Sequence, residues 1–428
     1  MLVDPIVPVQ YGYMMKTKMN SSSLHGLTPM LLILAVLAFE MSTDIYLPSL
    51  PEMGRFFSVP DAAVQTTLSG YLLGFALPGF IAGPLSDNIG RRPVILGSMA
   101  IFTMSSVCCW LAPTMTSLIT ARFAQGIGAG MTMVVITAVL KDIYDEKNFS
   151  RILSVKGMVI TLSPMVAPVL GGKIADIWGW KSCFFMIAIM ASIIWITIAT
   201  CLKESLSPAY RATQKSYFSG RLLLETYSQL LKRREVVTFA LISAITYGGL
   251  WVWIVEAPFY LINELGIKSV DYGYYAAIGP GAYILGMVLN QWWVSFYGID
   301  RMLACGLWLM VTGATLTLFA TVYWPSSLVA LYIFSSLYEI GLAPVFANAV
   351  TKAVSVIPSQ RGSASALLNT LEMGISSLCV FVVSLLSNGT LVPCAVMMLA
   401  SGILCAILFS TAARFSKEPQ AISSVCEG

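Results

Sequence analysis

Apolar residues do not alternate with polar ones in a short period along this chain. They run in long blocks, separated by short polar and basic connections. A helix that crosses the hydrocarbon core of a bilayer needs roughly 20 mostly apolar residues. Twelve such blocks fall at about 29–51, 64–85, 93–112, 116–140, 152–173, 181–202, 237–260, 271–292, 301–322, 326–350, 361–387 and 391–412. Backbone groups in hydrocarbon must be satisfied inside a helix or a closed barrel, and unbroken apolar runs of this length predict helices. The expected class is an all-α membrane protein with twelve transmembrane helices. The longest polar connection predicts five segments: an N-terminal tail (1–28), a six-helix bundle (29–202), a linker (203–236), a second six-helix bundle (237–412) and a C-terminal tail (413–428).

Composition agrees, with 57% hydrophobic and 11% charged residues and a mean hydropathy of +0.79. The net charge of +4 is a topology signal. Lys and Arg are retained on the cytoplasmic side of a membrane. With both termini cytoplasmic, Lys16, Lys18, Arg91, Arg92, Lys141, Lys147, Arg151, Lys156, Arg301, Lys352, Arg361, Arg414 and Lys417 lie inside, and only Arg55, Lys173, Lys181 and Lys268 lie outside. No nucleic-acid patch is expected. The first 28 residues lack a signal-peptide pattern, and Met14, Met15 and Met19 leave a later start open. The linker segment from Arg221 to Arg234 puts Leu223, Tyr227, Leu230 and Leu231 near one helical face, which predicts a helix lying on the cytoplasmic leaflet. The nine cysteines show no metal spacing and read as packing residues.

Two weak internal correspondences, Arg151 with Arg361 and Gly83 with Gly286, suggest duplication. Two six-helix pseudo-repeats with a substrate cavity between them is a standard transporter architecture.

Acids inside the predicted spans carry the chemistry: Glu40 and Asp44 in the first, Glu256 in the seventh, Glu339 in the tenth and Glu372 in the eleventh. Intramembrane ionisable residues are functional candidates. Glu40 and Asp44 are four apart and share a helix face, continued by Pro48. Two like charges close together in a low dielectric cannot both stay ionised cheaply, so the pair is suited to carrying a proton. Depth counting places Asp44 and Arg122 in the outward thirds of helices 1 and 4 and predicts that they meet. Protonation of Asp44 would then loosen the pair. Glu339 and Glu372 count to mid-membrane depth, and Tyr46, Tyr71, Gln65, Tyr247, Trp251, Trp253 and Asn369 are the expected cavity walls. Glu256 counts to the outer end of its helix, where exposure to solvent is an equal alternative. Trp292, Trp293, Tyr323 and Trp324 read as interfacial aromatics. His25 precedes the first span and cannot relay protons at mid-membrane.

Several stretches resemble the major facilitator superfamily. GPLSDNIGRRP (Gly83 to Pro93), with the joint spacing of Gly83, Asp87, Gly90 and Arg91, is similar to its loop signature, in which Gly83 allows close helix approach, Asp87 meets the positive end of a helix, and Arg91 and Arg92 hold the loop in the cytoplasm. ARFAQGIGAG, with Arg122, Gln125, Gly126 and Gly130, looks like its helix-4 motif, associated with proton coupling. SPMVAPVLGG, with Pro164, Pro168, Gly171 and Gly172, is similar to the motif of exporters and antiporters. STDIYLPSLP (Ser42 to Pro51), VLKDIY, GWKSCFF and GSASALLNTLE add a resemblance to the bicyclomycin and chloramphenicol resistance group of drug:proton antiporters. In that last segment the group usually carries Gln where this chain has Glu372.

The resemblance implies a bacterial inner-membrane, proton-coupled antiporter, monomeric, exporting small amphipathic drugs or metabolites with no cofactor beyond the proton gradient. Symport of a nutrient or metal chelate is the alternative, and a non-transporting receptor a third. No nucleophile or metal constellation supports an enzyme, and no GxxxxGK[ST] loop supports ATP-driven pumping.

Overall fold

The computed structural model describes residues 24–206, 220–356 and 361–415. The expected tails lie largely outside them, as does part of the linker. The described residues form helices and turns: α1 (Leu24–Asp44), α2 (Leu50–Phe57), α3 (Asp61–Ala76), α4 (Ala82–Ile89), α5 (Arg91–Leu111), α6 (Met115–Ile143), α7 (Glu146–Trp178), α8 (Lys181–Cys201), α9 (Gly220–Lys232), α10 (Arg234–Phe259), α11 (Ser269–Ala276), α12 (Ile278–Tyr297), α13 (Ile299–Tyr323), α14 (Leu328–Ser355), α15 (Arg361–Leu386) and α16 (Val392–Phe415).

Among the described residues, ten helical stretches are long and apolar enough to cross a membrane, and eleven if the bent pair Asp61–Phe80 and Ala82–Ile89 is one span. The remaining expected crossing, 271–292, consists of α11 and α12, parted at Ala277. Pro280, Asn290, Gln291 and four glycines dilute its apolar run.

Prolines explain the other departures. The expected first helix, 29–51, lies within one candidate span, Thr28–Phe57, whose α-helical run is interrupted between Asp44 and Leu50, because Pro48 has no N–H to donate and disfavours helical backbone at Leu47. Pro48 therefore leaves the stripe of Glu40 and Asp44 and sits in a short 3-10 turn, Leu47–Ser49. The expected second helix bends by 51° past a 3-10 turn that contains Pro78.

Helix pairing repeats across the chain. Before the linker α5 packs on α6 and α8, and α1 on α7 and α8; after it α13 packs on α14 and α16, and α10 on α15 and α16. Gly90 and Gly298, at φ +111° and +80°, open α5 and α13 in backbone conformations that L side chains rarely adopt. That pair marks the pseudo-repeat better than Gly83 and Gly286.

Two helix pairs make most of the contact between the halves: α3 with α15, and α7 with α11. On the second the backbones nearly touch. A Cβ at Gly172 would stand 2.7 Å from the Ser269 carbonyl, and one at Gly273 2.7 Å from that of Pro168. Inside the first half, a Cβ at Gly171 would stand 1.6 Å from the Ile45 carbonyl and one at Gly126 2.1 Å from that of Tyr71. Glycine stripes thus set the helix separation where no hydrophobic effect drives helices together. Gly83 is different: a Cβ there would meet nothing within 4 Å, so the close approach expected of it does not occur.

The expected surface helix is α9, and its apolar face is partly used by the protein itself. Leu230 is fully buried with Val236, Ala364 and Leu367, and the Tyr227 ring lies 4.8 Å from that of Phe80, whereas Leu231 is exposed. Trp292, Trp293, Tyr323 and Trp324 are exposed, as expected of interfacial aromatics.

Replacing Gly126 by Ala should drive the new methyl into backbone that cannot rotate away, at a cost of about 1–3 kcal/mol. A lower thermal midpoint of the purified protein in detergent, with Gly83→Ala left near wild type, is the expected result.

Candidate functional site: a cavity between the two halves

A cavity of about 370 Å³ lies between the halves. Its first wall carries Glu40 and Asp44 of α1 and Lys156 of α7; its second carries Trp251 of α10, Glu339 of α14 and Glu372 of α15. Tyr71, Tyr247, Trp253 and Asn369 also line it, as do Pro164 and Pro168. A mostly aromatic and apolar lining with a few polar groups is what a small amphipathic ligand requires.

Two expected wall residues are elsewhere. Tyr46 is fully buried behind the wall, its hydroxyl 3.3 Å from Arg122 Nη2 and its ring 4.6 Å from the guanidinium carbon. Gln65 faces the other half, as described below.

The expected meeting of Asp44 and Arg122 occurs at a distance: the charge of Arg122 acts on Asp44, but among the described residues the two form no direct ion pair. Because α1 ends at Asp44, its last carbonyls have no partner within the helix. Arg122 Nη1 donates to the Ser42 carbonyl at 3.0 Å and to Gln125 Oε1 at 2.5 Å, and the guanidinium lies 4.3 Å from the Tyr71 ring. Gln125 in turn donates to Ser106 Oγ at 2.8 Å. A cation at the C-terminal end of a helix is favourable. Arg122 thus holds the end of α1, while the Asp44 carboxyl faces the cavity.

Lys156 was counted with the loop cations and belongs here instead. The helix that carries it begins at Glu146 rather than near 152, which draws Lys156 about three turns inside. It is 9% exposed, its Nζ donates to Thr137 Oγ1 at 2.8 Å, and its charge acts on Glu40. Tyr272, Tyr283 and Tyr332 also line the cavity and were not anticipated. Nothing in their local sequence separates them from lipid-facing aromatics.

The end of the bundle with Arg91, Arg92, Lys141 and Arg301 is its basic end. There Arg91 joins three elements: Nη2 pairs with Asp87 at 2.6 Å, Nη1 donates to Ser86 Oγ at 2.6 Å, and Nε to Asp142 of α6 at 2.9 Å. Asp87 therefore meets the Arg91 side chain at the start of α5. The anion on that helix terminus is Glu204, which accepts from the backbone N–H groups of Arg91 and Arg92 at 3.0 and 3.2 Å. Arg92 Nη2 donates to the Ala199 carbonyl at 2.8 Å. The second half has an analogous contact, Lys352 of α14 with Asp300 of α13.

At the far end the halves are bonded to each other. Glu256 of α10 is 3% exposed, which settles the alternative of solvent exposure. Its carboxylate accepts from Gln65 Nε2 of α3 at 2.5 Å and from Ser387 Oγ at 2.6 Å. Nearby, Asn263 donates to Asp61 at 3.4 Å, and deeper in, Ser377 donates to the Ser69 carbonyl at 2.7 Å. Burial along α7 follows the same gradient: between Glu146 and Leu162 only Lys156 is buried, whereas Ala167, Pro168, Gly171, Gly172 and Ala175 are buried beyond it.

Among the described residues no His, Cys, Asp or Glu cluster could hold a metal, and the cysteines are unpaired. The Major Facilitator Superfamily model matches residues 32–380. The chain belongs to the major facilitator superfamily. It is a multi-pass membrane transporter, and its substrate is a small molecule.

Relatives include an uncharacterized MFS-type transporter, YdgK, of Bacillus subtilis, 28% identical over 88% of this chain and 92% of that protein. The multidrug resistance protein MdtL of Escherichia coli is 28% identical over 83% and 87%. A bicyclomycin resistance protein homolog of Haemophilus influenzae is 23% identical over 82% and 87%. Solved structures with the same fold include the nucleoside transporter NupG (TM-score 0.72, 14% identity, 90% of this chain and 99% of that one). Another is a bacterial Spinster homolog, inward-facing and occupied (TM-score 0.70, 15% identity, 92% and 98%).

Glu256→Ala removes the acceptor of both far-end bonds. Hydrogen bonds to a charged group contribute about 1.5–3 kcal/mol, so a state open at the far end should gain about tenfold or more in population. Spin labels at Arg55→Cys and Asn388→Cys, in a background without other cysteines, should report a longer-distance population in Glu256→Ala than in the parent.

Proposed function

We propose that this transporter is a proton-driven exporter of small amphipathic compounds, working by alternating access as a monomer in the bacterial inner membrane, with both termini cytoplasmic. The observation that carries the reading is the first wall of the cavity. Glu40 and Asp44, one helical turn apart, face the ligand space and share it with one buried cation, Lys156. Carboxyls in that position exchange a proton for a ligand without leaving the cavity, and the protonation change alters which state of the two halves is favoured.

The coupling step differs from an Asp44–Arg122 switch. Arg122 holds the end of α1 in place, Asp44 and Glu40 carry the proton, and Lys156 is the counter-charge for the pair in its deprotonated form. The proton gradient is the energy source, and no cofactor takes part. The direction of export is supported by relatives named for multidrug and bicyclomycin resistance. The helix-5 segment SPMVAPVLGG adds support, because its Pro168 and Gly172 lie on the contact between the halves.

Proteoliposomes loaded with a pH-sensitive dye test the reading with phenicols and cationic dyes as substrates. Substrate flux should drive protons the opposite way, and Asp44→Asn and Glu40→Gln should each reduce that movement by about tenfold or more. Protons moving with the substrate would establish symport instead, and equal flux in wild type and Asp44→Asn would remove Asp44 from the coupling.

A further inference from the structure

The two walls of the cavity are satisfied to different degrees. On the first wall Lys156 donates to Thr137, whereas the second wall contributes four buried polar atoms without a partner: Trp251 Nε1, Tyr332 Oη, Glu339 Oε2 and Glu372 Oε1. Each of these residues is more than nine-tenths buried, and each lines the cavity. A buried polar atom without a partner is costly, and native interiors rarely tolerate one unless a ligand meets it. Four on one face of one cavity describe a recognition surface.

Glu339 is its centre. The carboxylate lies against the first turn of α12, where a Cβ at Gly279 would stand 2.6 and 2.8 Å from the two oxygens. The absence of a side chain at Gly279 is what gives the carboxylate its place. The N-terminal turn of a helix favours a negative charge. Neither an Arg nor a Lys forms an ion pair with Glu339 among the described residues, so its carboxyl is left for a cationic ligand to meet. Aromatic rings surround it: Tyr332 stacks on Tyr275 with centroids 5.6 Å apart and meets Trp253 edge-on at 6.0 Å. Carboxylate oxygens and ring faces together suit an ammonium group, and the Trp251 N–H suits an acceptor elsewhere on the same molecule.

We infer that the second wall is a binding site for amphipathic amines, with Glu339 as the counter-ion of the ligand's ammonium and Glu372 as a second acceptor. This rests on the reading of the cavity as the substrate site and deepens it. It assigns ligand recognition to α10, α14 and α15 and proton handling to α1 and α7.

A matched pair of probes tests it: 5-phenylpentylamine and its neutral counterpart 5-phenylpentanol, titrated calorimetrically into the full chain in lipid nanodiscs at neutral pH. Wild type should bind the amine at least about tenfold more tightly than the alcohol. Glu339→Gln should reduce that ratio to within about threefold while keeping its affinity for the alcohol, which shows that the variant is folded. Gly279→Ala, which displaces the carboxylate without removing it, should lose the preference in part. Three results overturn the inference: equal binding of the two probes by wild type, no amine binding at concentrations where the alcohol binds, or a preference that survives Glu339→Gln but is lost in Glu40→Gln. Binding at equilibrium is independent of proton flux. An amine preference without proton antiport therefore refutes the export reading alone, and antiport without the preference refutes this inference alone.

Discussion

The early end of α1 is the constraint on which the site depends. A membrane span whose helix is interrupted leaves carbonyl groups without a partner inside it, and each is costly in hydrocarbon unless something donates to it. Arg122 meets that demand from α6, donating to the Ser42 carbonyl while its own charge is accommodated by Gln125 and by the faces of Tyr46 and Tyr71. The same contact directs the last turn of α1 toward the cavity, carrying Glu40 and Asp44 with it. Without an Arg so placed, a break at this depth would leave bare backbone. Without the break, the Arg would lose its bond to the Ser42 carbonyl.

With α1 so held, the cavity divides into walls of different chemistry. The first contains opposed charges on rigidly packed helices, since Gly171 brings α7 against the backbone of α1. The second contains unpartnered donors and acceptors set among aromatic rings. A transporter needs both properties and cannot place them on the same atoms.

The contacts outside the cavity are also divided by task. At the basic end Arg91 ties α4, α5 and α6 within one half, with Glu204 on the start of α5. At the far end Glu256 ties α10 to α3, across the halves. The first kind keeps a six-helix bundle rigid and the second holds two bundles together at one end, so breaking the second leaves each bundle intact. The alternating access we propose requires that separation.

Much of this was determined by the sequence. Long apolar runs specified membrane helices, because backbone in hydrocarbon has almost no other choice. The spacing of Gly83, Asp87, Gly90 and Arg91, with ARFAQGIGAG and SPMVAPVLGG, specified the family. Four of the five acids inside apolar runs marked the cavity and Glu256 the contact between the halves, because charge is too costly there to be incidental. Only the tertiary structure decided which partner each group takes. Asp44 and Arg122 share a depth, yet the direction of the guanidinium follows from where α1 ends. Gln65 and Glu256 are 191 residues apart, and nothing local to either announces the bond. Lys156 looked like a loop cation until α7 proved to start earlier, and Gly279 acquires meaning only through the carboxylate beside it. Composition and periodicity report what the solvent demands of each segment. Which buried groups satisfy one another, and which are left for a ligand, depends on distances between helices that no local pattern contains.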